Sequence, residues 1–451
     1  MMKTTFSNKE PSKSANTLAA ICVVVSTLLA STAPIAPALA RDVPSTKPER
    51  EGLSSERLEQ IKSLAERYVA DKRVPGMITM VARNGKIVHF EATGQRGLKD
   101  TRPLQKDDLF RIYSMSKPIT AVALMMLYEE GKFRLSDPVH LYIPELKELS
   151  VYNPDGDPVP AKTPVTMQQL LTHTAGFSYG FNPADPVDQK YQAAKIFEAK
   201  DLTEFAERVA ALPLQFQPGS KWHYSVASDL VGLAVERISG VPFADYLEQE
   251  IFTPLGMDDT FFNVPEDKRE RFLANQGWDA ANGEYVDVTA RTDARGNYTN
   301  ATLASGGGGL VSSTMDYMRF CEMLRNGGSY EGVRLLSPKT IEYMTLNHLP
   351  AAIDASGSGE TPTLGALGSS GVGFGLGFSV VTPCGSRHHQ FKGRIRLGWC
   401  RGYRVLDRPG GRDREHRDDS AHGISLATAS GSEVDHLSGH HRARRVRNLR
   451  V

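Results

Sequence analysis

The chain has 451 residues, with 53 Lys and Arg against 52 Asp and Glu, 40% hydrophobic residues and 23% charged. This near-neutral balance excludes bulk electrostatic attraction to nucleic acid or an acidic partner, and the length suits one large domain or two ordinary ones. The 4 cysteines point to a fold that does not rely on bridges, and no metal-ligand spacing appears.

In chain order, Lys3, Lys9 and Lys13 precede an apolar run from Leu18 to Ala30, and Ala38-Leu39-Ala40 follows. That pattern predicts a secretory signal peptide over 1–40, cut after Ala40. The run is well under the ~18 residues of a membrane span. The expected product is exported, periplasmic or secreted, with no stable membrane insertion after cleavage. Cys22 leaves with the leader.

Leu53, Leu58, Ile61, Leu64, Ala65 and Tyr68 fall on one side of a predicted helix over 53–71. Met77–Val81, Asn84-Gly85 and Lys86–Phe90 predict a hairpin on a type I′ turn. A short strand over Leu109–Ile112 leads into Ser114-Met115-Ser116-Lys117, and the apolar run Ile119–Leu127 continues as a helix to Glu129-Glu130-Gly131. Pro118 is tolerated there because the first amides of a helix have no internal partner. From 135 to 300 the chain reads as loop-rich and helical, with helices at Met167–Thr172, Asp201–Ala211 and Leu230–Ile238, the last stopping at Gly240. Ser305 to Gly309 is a turn feeding Leu310 and Val311, and a helix follows over Thr314–Leu324 with Cys321 in its core face. Ser356 to Gly371 is a Gly/Ser-rich loop.

Ser114 and Lys117, three apart at a helix start, share one face. A serine hydroxyl is a poor nucleophile until a base takes its proton, and a lysine does so when its pKa falls. Helix amides and burial both favour the neutral amine. The segment therefore predicts acyl-enzyme chemistry on Ser114 with Lys117 as base. Tyr224, just before a helix, is either a proton relay beside that lysine or an aromatic of the capping region. Gly176-Phe177-Ser178-Tyr179-Gly180 matches a nucleophile-elbow pattern, but that motif needs a strand before it and a helix after it. Here it follows a short helix and opens a polar loop, so Ser178 is not the expected nucleophile. His173, at a helix end, reads as a capping or core group. The glycine run at 306–309 lacks the Lys-Ser/Thr ending of a phosphate loop.

Four stretches in this order resemble the serine β-lactamase/penicillin-binding superfamily, in its class C-like, esterase-type branch. They are Phe110–Pro118, Gln169–Gly176, Trp222–Ser225 and Ser305–Leu310, and the likeness covers about residues 52 to 380. The resemblance implies an α+β fold: an antiparallel sheet flanked by helices, with a mostly helical second lobe and the site between. It implies Ser114 as nucleophile, Lys117 as base, Tyr224 as second proton-transfer group and the Ser114 amide as an oxyanion donor. No cofactor is implied, and the partner is a small-molecule ester or amide. Lactamase members carry asparagine two residues after the tyrosine; here that position is Val226, which favours ester cleavage.

The family's third motif, a Lys-Thr-Gly or Trp-Gly-Gly-like strand edge, is missing. From Arg387 to Val451 there are 14 Arg, 1 Lys and 7 of the 12 His, whereas Arg and Lys are balanced at 19 each before it. Cys384 and Cys400 lie in or beside this stretch. Arg394 to Pro409, written as codons and shifted one base toward the 3′ side, permits Gly-Phe-Gly-Trp-Ala-Gly-Ala-Gly-Ala-Thr-Gly-Phe-Trp-Ile-Asp-Pro, which resembles the missing motif. The predicted organisation is therefore a signal peptide at 1–40, a hydrolase domain at 41–386, and an aberrant, out-of-frame segment at 387–451 whose core strands are lost. A sequencing error and a pseudogene give the same protein text. The alternative is a natural basic tail, although its interleaved acids weaken a polybasic reading. The expected function is serine hydrolysis, or acyl transfer, of a small ester or amide, with β-lactamase or D-Ala-D-Ala carboxypeptidase activity as alternative. A chain left inactive, or non-catalytic and penicillin-binding-like, is the other reading. The expectation for these 451 residues as they stand is poor folding or lost activity.

Overall fold

The computed structural model describes residues 42–279, 281–293, 298–351, 353 and 372–381, with short strands at 395–396, 403–404 and 423–429. The leader at 1–40, the loop at 356–371, Cys22, Cys384, Cys400 and the rest of 387–451 lie outside the described residues. Among the described residues no helix is long and apolar enough to cross a membrane.

Helix α1 spans Ser55–Ala70 and starts where Ser54 accepts a hydrogen bond from Arg57 N–H. It lies on a hairpin of β1 (Gly76–Arg83) and β2 (Lys86–Gly94), with Leu58, Val81 and Val88 packed together. Leu64, expected on the buried face, is 38% exposed, because the contact narrows to Leu58 and Ala65. Asn84 and Gly85 both have positive φ, as a type I′ turn requires.

Strand β3 is Phe110–Arg111, and α2 is Ser116–Glu129. Ten consecutive residues of α2, from Ser116 to Met125, are buried, so this helix runs through the core rather than along its surface. Around it pack α3 (Met167–Leu171), α4 (Pro186–Ala194), α5 (Leu202–Ala210) and α6 (Ala227–Ser239), which share one hydrophobic cluster with α2. Gly240, in the left-handed conformation, ends α6 as its sequence predicts. Strand β4 (Val311–Ser312) pairs antiparallel with β3 and is followed by α7 (Thr314–Arg325), in which Cys321 is buried.

One difference from the sequence reading concerns the sheet edge. No strand is expected beyond Arg387, yet β5 (Gly423–Ala429) pairs antiparallel with β1 from Met77↔Ala429 to Arg83↔Gly423. Tyr403–Arg404 pairs on its far side, giving a four-stranded sheet, and Ile395–Arg396 pairs with Ser379–Val381. The free edge of β1 would carry unpaired N–H and C=O groups, and a short run without Pro meets that demand.

Candidate active site

Three separate elements bring the site together. The β3–β4 pairing continues where Ile112 N–H reaches Leu310 C=O at 3.0 Å and Leu310 N–H reaches Ser116 Oγ at 3.2 Å. The glycine turn at 305–309 is thereby laid against the start of α2. The third element, the chain before α6, delivers Tyr224.

Ser114 sits in a 3-10 turn, Tyr113–Met115, that feeds α2. Tyr113 has φ +42°, a conformation costly for a non-glycine residue. Its ring meets Tyr298 edge-on at 6.5 Å and its hydroxyl pairs with Asn275, contacts that hold the turn. Ser114 is half-buried, while Lys117, one helical turn on, is 3% exposed.

Lys117 Nζ lies 3.2 Å from Ser114 Oγ and donates to Gly307 C=O at 2.5 Å. Tyr224 O–H donates to Ser114 Oγ at 2.7 Å. All three residues named from sequence thus converge on one hydroxyl. The 3.2 Å separation serves equally with Ser114 as donor to a neutral amine, which is the arrangement proton abstraction needs. Lys117 also lies 4.7 Å from the Tyr224 ring centroid and 5.2 Å from that of Tyr179, over aromatic faces that favour its charged form. Burial acts in the opposite sense.

Tyr224 is fixed by its neighbours. The Tyr179 ring stacks at 5.3 Å and the His173 ring tilts against it at 4.9 Å. Ser225 N–H donates to His173 Nδ1 at 3.3 Å, and the Ser225 hydroxyl lies 3.1 Å from the same nitrogen. Burial, and next Lys117, hold His173 well below the usual imidazole range, so it is a neutral packing group. Phe374 meets the His173 ring edge-on at 5.4 Å. His173 is the core group expected of it, but it braces Tyr224, a contact with no local sequence signal.

Ser178 occupies a different setting. It is fully buried, its hydroxyl donates to Asp188 on α4, and His223 Nε2 lies 3.2 Å away. Asp188 further accepts from Asn182 N–H at 2.8 Å and Gln215 at 3.1 Å. Serine, histidine and aspartate meet here as a sealed loop anchor, and Ser178 has no exposed face to offer a substrate.

Two site groups escaped the sequence reading. Asp229 on α6 is 0% exposed and accepts from Ser305 and Gly307. Tyr179 is pushed well above its ordinary pKa, first by burial and then by Asp229. A lone acid inside the apolar stretch Val226–Val235 was the available signal for Asp229.

Comparison with known proteins identifies the family and the fold. The family model described as Beta-lactamase matches residues 61–407. Esterase EstB of Burkholderia gladioli is 30% identical over 281 residues, 59% of this chain and 69% of the relative. A putative D-alanyl-D-alanine carboxypeptidase of Escherichia coli (strain K12) is 29% identical over 350 residues, 72% of this chain and 78% of the relative. The solved structure of simvastatin synthase (LovD) from Aspergillus terreus has a TM-score of 0.69 at 22% identity, covering 85% of this chain and 95% of that one, a likeness of fold. The chain belongs to the beta-lactamase family and is a serine hydrolase with esterase and carboxypeptidase relatives.

Proposed function

We propose that the protein hydrolyses, or transfers the acyl group of, a small ester through an acyl-Ser114 intermediate. The observation that carries this reading is Ser114 Oγ lying within hydrogen-bond reach of both Lys117 Nζ and Tyr224 Oη. Ser114 Oγ attacks the carbonyl carbon as its proton passes to Lys117. The proton then moves through Tyr224 to the departing alkoxide, and water releases the acyl group by the reverse relay. Ester preference rests on Val226, buried two residues after Tyr224, which offers no side-chain amide to a substrate, and on the esterase relative. Hydrolysis of p-nitrophenyl butyrate by the chain with its C-terminal frame restored, lost in Ser114→Ala, is the expected result. Turnover of nitrocefin in its place would favour the lactamase or carboxypeptidase reading, and failure of a fluorophosphonate to label Ser114 of the frame-restored chain would remove the acyl-serine reading.

We also infer that the chain from about Arg387 onward is read out of frame, from the switch in basic residues and the motif restored by a one-base shift. Genomic sequence across codons 380–395 tests this directly. The frame-restored chain is expected to hydrolyse the ester and the 451-residue chain to fold poorly or lack activity, and a 451-residue protein that melts cooperatively and hydrolyses the ester would overturn the second expectation. Export of the chain, with cleavage after Ala40, belongs to the same proposal; a mature protein retaining Met1 in the cytoplasm would overturn it.

A further inference from the structure

Asp229 lies behind the reacting groups, five residues after Tyr224 and just inside the first turn of α6. Its Oδ1 accepts from the Ser305 hydroxyl at 2.5 Å and from Gly307 N–H at 3.0 Å. Its Oδ2 is buried and has no hydrogen-bond partner among the described residues. A Cβ added at Gly307 would fall 2.4 Å from that oxygen and 2.7 Å from Tyr179 Oη, so carboxylate and phenol crowd the same Cα. On its other side, Gly307 offers its C=O to Lys117 at 2.5 Å. One glycine is therefore held through its N–H by a carboxylate and through its C=O by the amine beside the nucleophile.

A half-satisfied buried carboxylate is costly to keep, and the acyl-transfer steps above do not use it. Those steps do create a matching demand. When Ser114 gives up its proton, Lys117 becomes an ammonium at a site 3% exposed, and a buried charge is strongly unfavourable unless another offsets it. Among the described residues, the titratable groups facing Lys117 include Tyr224 before α6, Tyr179 and His173 from the α3–α4 segment, and Asp229 from α6. Tyr179 is held neutral by burial and Asp229, and His173 by burial and Lys117. Among these four, Asp229 is the carboxylate. Burial pushes its carboxyl above the ordinary range, while Lys117, Ser305 and Gly307 pull it back.

We propose that Asp229 is a positioning residue for Lys117: anchored by Ser305 and Gly307, it supplies the buried counter-charge to the ammonium formed as Ser114 is deprotonated. The proposal rests on the acyl-serine reading. The proton travels from Ser114 Oγ to Lys117 Nζ as the Oγ–carbon bond forms, and Asp229 exchanges no proton.

The test is NMR titration of the full chain carrying lysine labelled with 13C at Cε, the Lys117 signal being assigned by its loss in Lys117→Arg. Asp229→Asn keeps an acceptor for Ser305 and Gly307 but removes the charge. Without the anion the ammonium is less favoured, so the Lys117 midpoint falls by about one unit. Ser305→Ala, which leaves the carboxylate in place and removes one of its donors, moves the midpoint the same way by less, and keeps the test available if Asp229→Asn does not fold. An unchanged midpoint in both variants overturns the counter-charge role. Fluorophosphonate labelling of Ser114 is read separately. A frame-restored chain that fails to label removes the acyl-serine reading, whereas a labelled chain with an unmoved midpoint removes the role of Asp229 alone.

Discussion

Ser114 and Ser178 form a natural experiment within one chain. Each stands in a short pattern associated with nucleophilic serines, and each hydroxyl has two hydrogen-bonding neighbours. Ser114 is half-buried, with an amine and a phenol at 3.2 and 2.7 Å. Ser178 is sealed, with its proton committed to a carboxylate and an imidazole beside it. The difference lies in access and in the freedom of the proton. In the proposed mechanism Lys117 takes the Ser114 proton and Tyr224 hands one on, while the Ser178 proton is held by Asp188, which also accepts from Asn182 N–H and so ties α4 to its preceding loop.

The sharpest way to break this comparison is at the nucleophiles. Ser114→Ala is expected to abolish fluorophosphonate labelling and lower ester hydrolysis by about a thousandfold or more, as loss of a unit that acts together does. Ser178→Ala is expected to leave the label intact, and a reversed outcome by mass spectrometry of the labelled peptide would exchange the two roles. The proton-transfer partners come next. Lys117→Met and Tyr224→Phe should each lower kcat by roughly 10²–10⁴, the range of a positioned acid or base. Equal losses in kcat and kcat/KM would place both in the transition state.

Smaller effects belong to the sealed serine. Ser178→Val strands Asp188 and His223 without their shared partner, and a stability loss of about 1–3 kcal/mol is expected in urea unfolding. The pH dependence has a definite sign. Burial lowers the His223 pKa below its ordinary 6.5. The unfolded chain therefore binds the proton more readily below that pH, and stability falls as pH drops from 6.5 toward the folded value. The slope reaches at most about 1.4 kcal/mol per unit for this group. His173 is shifted the same way, so His223→Gln should shallow the acid-side slope without removing it. Unfolding midpoints at pH 7.5, 6.5 and 5.5 decide this.

What could be read in the sequence was local. Asn84-Gly85 dictated the hairpin, Gly240 ended α6, and the spacing of Ser114 and Lys117 put both on one turn, because each rests on conformational preferences spanning a few residues. The absence of a strand before Gly176 was enough to discount Ser178, though not to reveal Asp188 as its partner. Asp229 and Tyr179 were not legible as site residues, nor were the contacts of Gly307 and His173, because their meaning comes from contacts far apart in the chain. Gly307 meets Lys117 across 190 positions and His173 meets Ser225 across 52. The pairing of β5 with β1 was missed for a related reason: an unsatisfied strand edge in the N-terminal hairpin, not a pattern in the C-terminal text, creates the demand for it.

Tyr113 sets a limit on how this chain can be improved. A left-handed tyrosine next to Ser114 is a place where backbone relaxation and side-chain contacts pull in opposite directions. Glycine would relax the turn, but would also discard the ring that meets Tyr298 and the hydroxyl that meets Asn275. A search for hardier variants that ranks substitutions by melting temperature alone would be drawn to this position, and would select against the geometry that presents Ser114.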